Sequence, residues 1–407
     1  MMNDYLVGLF WALALGASIL LWPVSFSDKR ALLNVWGVKI FTTLGIMLAY
    51  ESRYEGQLDA VRYYNESAMS SFAWENFEFG EGTTNIFNFL SVYNMILPDS
   101  YHAMKVTFAM IGMIAVYIFY RAAVMFLQRD DIRVFYALAL YPTILFWSSI
   151  LGKDPLILLG VSFYTYGVVG WRKFGTMQYL LWGAFGLWFS SFMRLWYGPI
   201  LLAPLIVFVI NKKNGITKNL IFITLIVGSF LVTLTLFAER FSIENTQDII
   251  AQTNQLSKNF SGGGSAQAVN TFNSPAQLLA FMPIGMFTAL FRPLPGEILN
   301  PFGLIAGFEN LFVLWLLVMA IKQVSINDLK EPLILWAIAL IITWAAIYAF
   351  VSSGNLGTAV RYRLSMLPIL LSLLLYLYFK SSYEIKMKFQ DSKLLKHKKL
   401  ILKLKKL

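Results

Sequence analysis

The stretch "ILFWSSILGKDPLILLG", residues 144–160, places two opposite charges between two apolar runs. Lys153 and Asp154 are adjacent, with Gly152 before them and Pro155 after them. Apolar runs of this kind are typical of helices that lie in a bilayer, and charges between two of them indicate a short connection near the membrane surface. The stretch therefore predicts a bundle of membrane helices.

The composition of the whole chain agrees with that prediction. Of its 407 residues, 58% are hydrophobic and only 14% are charged, and a soluble domain cannot bury so much apolar surface. We therefore predict an all-α fold, a polytopic integral membrane helical bundle. The chain has no cysteine, and its two histidines, His102 and His397, are far apart. No disulfide and no histidine-based metal site is expected.

Hydropathy predicts about eleven transmembrane helices in a single bundle that covers residues 1–379. The predicted spans are 5–24, 32–50, 103–127, 134–151, 155–171, 178–193, 197–210, 219–237, 302–321, 332–351 and 363–379. Two long connections, 51–102 and 238–301, are predicted as outer loops. The first is acidic and aromatic, and the second contains the Gly/Ser-rich stretch "NFSGGGSAQAVNTFNSP".

Basic residues predict the orientation, because Lys and Arg accumulate in cytoplasmic connections. The connections that carry them alternate with connections that carry few: Lys29 and Arg30; Arg129 and Arg133; Arg172 and Lys173; Lys212, Lys213 and Lys218; Lys322 and Lys330. We expect a multi-pass protein of the bacterial inner membrane with its N-terminus outside. The tail 380–407 is expected to lie as a basic amphipathic segment on anionic membrane lipids at the cytoplasmic side. The net charge of +11 thus indicates topology and no nucleic-acid partner.

Several cations depart from this rule, because they lie at the predicted outer ends of the spans. They are Lys153, Arg194, Arg292, Arg361, Arg363 and, in the first outer loop, Arg53 and Arg62. Charged groups near membrane depth are costly and usually face a cavity that has a function. Arginine binds phosphate with two hydrogen bonds and lysine binds it as a point charge. The cations therefore predict a site for a lipid-linked phosphate or pyrophosphate.

Carboxylates in the same region are candidates for a general base. Asp59, Asp154 and Glu55 are the predicted catalytic carboxylates, and Glu51 is a further candidate for the base. Structural interpretations stay open beside this one. Lys153 and Asp154 can form a local ion pair that closes a turn, and single arginines can extend toward lipid headgroups. Glu309, within a predicted span, is expected either to be satisfied in the bundle or to line the cavity.

Several stretches resemble polytopic glycosyltransferases of the GT-C superfamily from bacterial surface-polysaccharide biosynthesis. "LDAVRYYNES", residues 58–67, resembles the acidic motif of their first long outer loop, which implies that Asp59 is the catalytic base. "YPTILFWSSILGKDPLILLG" and "FMRLWYGPILL" resemble further segments, and the second carries Arg194. "ALFRPLPGEILNPFGLIAGFENL" and "NLGTAVRYRLSMLP" are similar to segments of the same group. The class of membrane proteins nearest to this group in the resemblance is that of the Wzy-type O-antigen polymerases.

The resemblance implies a membrane glycosyltransferase that works at the outer face of the membrane. Its donor would be a polyprenyl-linked sugar lipid, and its acceptor a glycan or a lipid. The residues leave open whether a divalent metal assists, and Asn355 and Gly357 are expected to shape the pocket. Two alternatives remain: a Wzy-type polymerase that joins lipid-linked repeat units, and a non-enzymatic transporter or flippase of lipid-linked sugars. The scarcity of charge within the spans favours chemistry at one face over transport.

Overall fold

The structure, a computed structural model, describes residues 2–53, 58–69, 74–210, 244–268 and 270–380, with a few separate positions between 227 and 239. Over these residues the chain is helical, and extended pairing is limited to two isolated bridges, Glu81 with Arg194 and Ala266 with Asn355. The predicted all-α fold is confirmed for this part of the chain.

Eighteen α-helices have their bounds within the described residues and are numbered in chain order. They are α1 (Met2–Ser18), α2 (Phe26–Phe41), α3 (Met47–Arg53), α4 (Asp59–Met69), α5 (Gly82–Ile96), α6 (Tyr101–Leu127), α7 (Ile132–Ala139), α8 (Pro142–Trp147), α9 (Lys153–Phe174), α10 (Met177–Met193), α11 (Tyr197–Leu202), α12 (Val207–Ile210), α13 (Thr246–Asn259), α14 (Pro275–Phe291), α15 (Pro301–Gln323), α16 (Pro332–Gly354), α17 (Leu356–Arg363) and α18 (Leu367–Lys380).

Five described helical segments are long and apolar enough to cross a membrane. They are Asn3–Leu21, Phe26–Arg53, Tyr101–Leu127, Pro301–Gln323 and Pro332–Gly354. A sixth is possible if α17 and α18, which meet at a bend of 72°, count as one broken span. The chain thus has the helices of a membrane protein, whereas the predicted number of about eleven is not reached by the described helices.

Local breaks explain part of this difference. The predicted span 134–151 is divided into α7 and α8, because Pro142 starts a new helix directly after Tyr141. The predicted span 197–210 is divided by a 3-10 turn at Ala203–Ile206. Most of the predicted span 219–237 lies outside the described residues.

Helices α9 and α10 form a closely packed antiparallel hairpin. A Cβ atom at Gly167 would lie 2.3 Å from the backbone nitrogen of Gly183, and one at Gly186 would lie 2.2 Å from that of Tyr164. Such close backbone approach is typical of small residues at membrane helix interfaces. The hairpin places the first residues of α9 beside the last residues of α10, which brings Asp154 and Arg194 to the same end of the bundle.

A buried lysine, Lys39, links α2 to the break between α8 and α9. The Lys39 ammonium group donates to the Ser148 carbonyl oxygen at 3.2 Å and to the hydroxyl groups of Ser148 and Ser149 at 2.7 and 2.9 Å. These serines form the break between α8 and α9, and a cation beside the last carbonyl groups of a helix is favourable. Lys39 therefore helps to fix the turn that presents Lys153 and Asp154.

The predicted outer loops contain helices that the sequence analysis did not identify. Residues 51–102 contain α4 and α5, and residues 238–301 contain α13 and the apolar helix α14. Helix α14 packs along α16, since a Cβ atom at Gly285 would lie 2.7 Å from that of Ala349. The segment after α14 then runs beside α15, where the Asn310 amide donates to the Pro293 carbonyl oxygen at 2.7 Å. The second predicted loop is thus partly folded into the bundle.

Candidate functional site

Four charged side chains from separate helices or helix ends meet where α9 begins. The Arg361 guanidinium donates from Nε to the Asp154 carboxylate at 2.7 Å and from Nη1 to that of Asp59 at 2.9 Å. Arg194 Nη2 lies 3.5 Å from the other Asp154 oxygen. We call these four residues together with Lys153 the ion cluster. It unites five of the predicted site residues.

The burial of its two carboxylates is very different. The Asp154 side chain is 4% exposed and is held between two guanidinium groups. The Asp59 side chain is 51% exposed, and Arg361 is its only ion-pair partner among the residues that the structure describes. Asp59 is therefore open to solvent, whereas Asp154 is enclosed by the two arginines.

Lys153 does not pair with its neighbour in the sequence. Its ammonium group donates to the Thr83 hydroxyl at 2.8 Å and lies 5.8 Å from the ring centroid of Tyr63. Over the residues that the structure describes, no carboxylate comes within ion-pair distance of Lys153. A local Lys153–Asp154 ion pair closing the turn is thus absent from this structure.

The ion cluster carries a surplus of positive charge. Within these five residues, the three cations Lys153, Arg194 and Arg361 outnumber the two carboxylates Asp59 and Asp154 by one. Because the surplus lies in a partly buried place, screening by water is weaker there than at an open surface. An anion at this place would compensate the charge.

Aromatic side chains enclose the cations. The Arg194 guanidinium carbon lies 4.4 Å from the ring centroid of Tyr362, and that of Arg361 lies 5.6 Å from Trp147. The Tyr348 hydroxyl accepts hydrogen bonds from Trp196 Nε1 at 2.8 Å and from Arg194 Nη1 at 3.3 Å. These contacts fix the guanidinium planes and add cation–π attraction.

Helix α4 contributes Tyr63 to the same wall. Burial raises the pKa of its hydroxyl, and the Asp59 carboxylate raises that pKa further. The hydroxyl therefore stays protonated at neutral pH and can act only as a neutral hydrogen-bonding group.

Local structure explains the position of Arg194. It follows the last turn of α10 with extended dihedral angles (φ −151°, ψ 113°), so its side chain leaves the helix at the end where a cation is favoured. The start of α5 holds this end. The Gly80 backbone N–H and the Asn85 amide donate to the Phe192 carbonyl oxygen at 2.9 and 3.0 Å. A Cβ atom at Gly82 would lie 2.3 Å from the Met193 carbonyl oxygen, so only glycine permits this approach.

The other four predicted site residues are not in the ion cluster: Arg363, Arg292 and Arg62 lie outside it, and Glu55 is outside the described residues. Arg363 is 1% exposed and donates to the carbonyl oxygens of Leu290 and Arg292 at 2.6 and 2.7 Å, and to Asn310. Residues two apart on a helix differ in direction by about 200°, so Arg363 cannot face the ion cluster together with Arg361.

Arg292 and Arg62 have local partners outside the ion cluster. Arg292 pairs with Glu297 at 2.6 Å, within the segment that follows α14. Arg62 is exposed and pairs at 2.6 Å with Glu66 one helical turn later, which raises its pKa. The predicted acid Glu55 lies outside the described residues.

Other charged residues of the sequence analysis have structural partners. Glu51 pairs at 2.8 Å with Lys105, a buried cation that the sequence analysis did not consider. Glu309 accepts from the backbone N–H of Thr143 at 2.8 Å and from its hydroxyl, so it caps the start of α8. Both interpretations of Glu309 apply, because it also lines a cavity next to the site.

That cavity has a volume of about 210 Å³ and is mainly apolar. Tyr50, Phe146, Trp147 and Phe302 contribute aromatic walls, and Gly357 lies at its edge. Trp147 also contacts Arg361, so the cavity and the ion cluster share a wall. The predicted role of Gly357 in shaping a pocket agrees with this position. Asn355 instead caps α17 by accepting from the Thr358 backbone N–H at 3.0 Å.

The sequence analysis missed the aromatic residues of the site and Thr83. Aromatic residues are frequent throughout the chain, so no spacing distinguishes Tyr63, Trp147, Tyr348 and Tyr362. Across the described ranges, no group of three or more His, Asp or Glu side chains is arranged to hold a metal ion.

Comparison of the chain with known protein families, with curated proteins and with solved structures gives no match. The interpretation of function therefore depends on the ion cluster and on the chemistry of its residues.

Proposed function

We propose that this protein is a membrane glycosyltransferase of bacterial cell-surface polysaccharide biosynthesis. It would act at the outer face of the inner membrane and transfer sugar from a polyprenyl-phosphate or pyrophosphate carrier to a glycan or lipid acceptor. The single observation that carries this proposal is the ion cluster, which combines a lysine bonded to a neutral hydroxyl, Lys153, with a half-exposed carboxylate, Asp59, held by Arg361.

The residues divide the chemistry among them. Lys153 and Arg361 bind the phosphate and stabilise the charge that develops on it as the bond to the sugar breaks. Asp59, half exposed, accepts the proton of the attacking hydroxyl group. Asp154 and Arg194 hold Arg361 in place, because Asp154 is bonded to both arginines. The transfer forms a bond from the acceptor oxygen to the anomeric carbon and releases the carrier phosphate.

The 210 Å³ cavity beside the ion cluster supports a lipid-linked donor. Its aromatic and aliphatic walls suit the hydrocarbon next to a phosphate, and Trp147 both lines the cavity and contacts Arg361 of the ion cluster. A soluble nucleotide sugar would gain little from such walls.

A test of the proposal is the binding of undecaprenyl phosphate to the purified protein, titrated by native mass spectrometry. Hydrogen bonds to charged groups contribute ~1.5–3 kcal/mol, so Lys153→Ala should weaken binding by roughly 10- to 150-fold. Lys153→Arg should retain part of the affinity, since the charge stays and the geometry changes. The control Lys322→Ala, an exposed lysine at the end of α15, should bind as the parent does. Unchanged affinity of Lys153→Ala with a lowered melting temperature would refute the phosphate role.

A Wzy-type polymerase is the second candidate, because joining repeat units needs the same base and the same phosphate cations. A donor with a single sugar and a donor with a whole repeat unit distinguish the two enzymes in a turnover assay. The transporter alternative is less favoured, since the buried charges Lys39, Lys105 and Glu309 each have fixed partners in the bundle.

A further inference from the structure

A larger cavity lies at the opposite end of the bundle from the ion cluster. Its volume is about 510 Å³, and we call it the basal cavity. The last turns of α6, the start of α7, the second half of α9, the start of α16 and α18 enclose it. Thr165 and Val169 on α9 line it, about 17 to 23 Å along the helix axis from Asp154 at 1.5 Å per residue. It is therefore separate from the proposed active site.

The lining of the basal cavity suits a hydrocarbon chain. Most of its lining residues are apolar, among them Phe119, Phe126, Trp336, Leu373 and Tyr376. Two of its few polar side chains, Thr165 and Asp131, already have partners within the protein. The Thr165 hydroxyl donates to the Val161 carbonyl oxygen at 2.8 Å, and Asp131 pairs with Arg133 at 2.6 Å. A ligand with many polar groups would find little to bond with inside.

The basal cavity reaches the surface of the bundle. Phe119 and Trp336 at its floor are 3% and 2% exposed, whereas Phe379 at its edge is 44% exposed. A hydrocarbon chain in this cavity would thus be partly enclosed, unlike a lipid that only covers the outer surface.

An exposed cation lies next to a lining residue of the basal cavity. The Lys173 ammonium group lies 5.0 Å from the ring centroid of Phe126, one of the lining residues, and Lys173 itself is exposed. Within the described ranges, no carboxylate is within ion-pair distance of it. An apolar cavity with a lysine beside its lining residue Phe126 is complementary to a hydrocarbon chain that ends in an anionic group.

We propose that the basal cavity binds one acyl chain of an anionic phospholipid, whose phosphate contacts Lys173. The inference is independent of the proposed transferase activity, because it uses none of the residues of the ion cluster. A bound lipid at this place would fill the space between α6, α16 and α18 and stabilise their packing.

The experiment is photo-crosslinking in phosphatidylcholine nanodiscs that contain a small fraction of phosphatidylglycerol with a diazirine at the end of one acyl chain. Mass spectrometry locates the labelled residues. We expect labels on Phe119 and Trp336, which surface lipids cannot reach. Filling the cavity with Ala337→Trp should remove these labels and leave those on Phe10 and Leu13, exposed residues of α1, unchanged. Labels restricted to exposed residues would overturn the proposal.

Two further variants keep the test decisive. Ala123→Phe fills the cavity from a half-buried position and replaces Ala337→Trp if that variant fails to fold. Lys173→Gln should abolish the preference for the phosphatidylglycerol probe over a phosphatidylcholine probe, whereas the matched control Lys322→Gln should keep it. Equal labelling of the cavity by both probes in the parent protein would overturn the assignment of an anionic headgroup.

Discussion

At the scale of single residues, partners decide the role of each charge. Asp59 and Asp154 share Arg361, yet only Asp59 is open to solvent, so the two carboxylates are not equivalent. Arg361 and Arg363, which are two positions apart in the sequence, are not equivalent either. The first bonds carboxylates in the ion cluster, and the second bonds carbonyl oxygens at the end of α14.

Replacing each carboxylate should separate chemistry from stability. Asp59→Asn is expected to lower turnover by ~100-fold or more, the usual contribution of a general base, with an unchanged melting temperature. Asp154→Asn should destabilise the fold by about 3–5 kcal/mol because it leaves buried guanidinium groups unpaired. Turnover and melting curves on both variants measure this. An inactive but stable Asp154→Asn protein, beside an active Asp59→Asn protein, would identify Asp154 as the base.

Replacing each arginine should show which one belongs to the site. Arg363→Gln leaves the Leu290 and Arg292 carbonyl oxygens without their donor, and we expect a loss of about 1–3 kcal/mol in stability. Undecaprenyl phosphate should still bind to that variant, as measured by native mass spectrometry. Arg361→Gln should instead weaken binding. If Arg363→Gln abolished binding in a protein that remains folded, the phosphate site would extend to α14.

At the scale of elements, the α9–α10 hairpin positions the ion cluster. It joins an acidic residue at a helix start to an arginine at a helix end, both favourable for the helix dipoles. The glycine contacts along the hairpin fix how far the two ends approach each other.

A methyl group in the hairpin should therefore disturb the bundle. Gly167→Ala places a Cβ atom 2.3 Å from the Gly183 backbone, so the helices must separate, with an expected cost of about 1–3 kcal/mol. The control is Gly37→Ala in α2, where a Cβ atom would meet nothing within 4 Å and helix propensity favours alanine by about 1 kcal/mol. Thermal unfolding in detergent compares them. Equal stability of the two variants would disprove tight packing of the hairpin.

At the scale of the whole molecule, the path of α14 determines the topology after it. Because the segment following α14 runs back beside the first half of α15, we expect residues 275–300 to start and end on the same side of the membrane. The predicted orientation of α15, α16 and α18 is then unchanged by this additional helix.

The chain has no cysteine, so single cysteines test this path directly. Ser265→Cys and Leu299→Cys, on either side of α14, should both react with an impermeant thiol reagent added to spheroplasts. Ser325→Cys, after α15, should react only when the cells are opened. A Leu299→Cys protein that reacts like Ser325→Cys would mean that α14 crosses the membrane fully.

The sequence by itself determined the helical class, the membrane setting and the group of charges from which the ion cluster is formed. These follow from composition and hydropathy, which are local properties of a segment. The helices within the outer loops were missed for two reasons. The signals of α4, α5 and α13 are short, and the apolar segment of α14 was assigned to the loop 238–301 together with the Gly/Ser-rich stretch that precedes it.

Only the tertiary structure decided which charges meet. The two hydrogen bonds of Arg361 join it to residues 207 and 302 positions away in the sequence, so they depend on how the helices pack. Hydropathy placed Arg292 and Arg363 at the same depth in the membrane as Arg361, but depth does not determine which way a side chain points. The rotation of α17 about its axis and the close approach in the α9–α10 hairpin selected Asp59, Lys153, Asp154, Arg194 and Arg361 from the larger set.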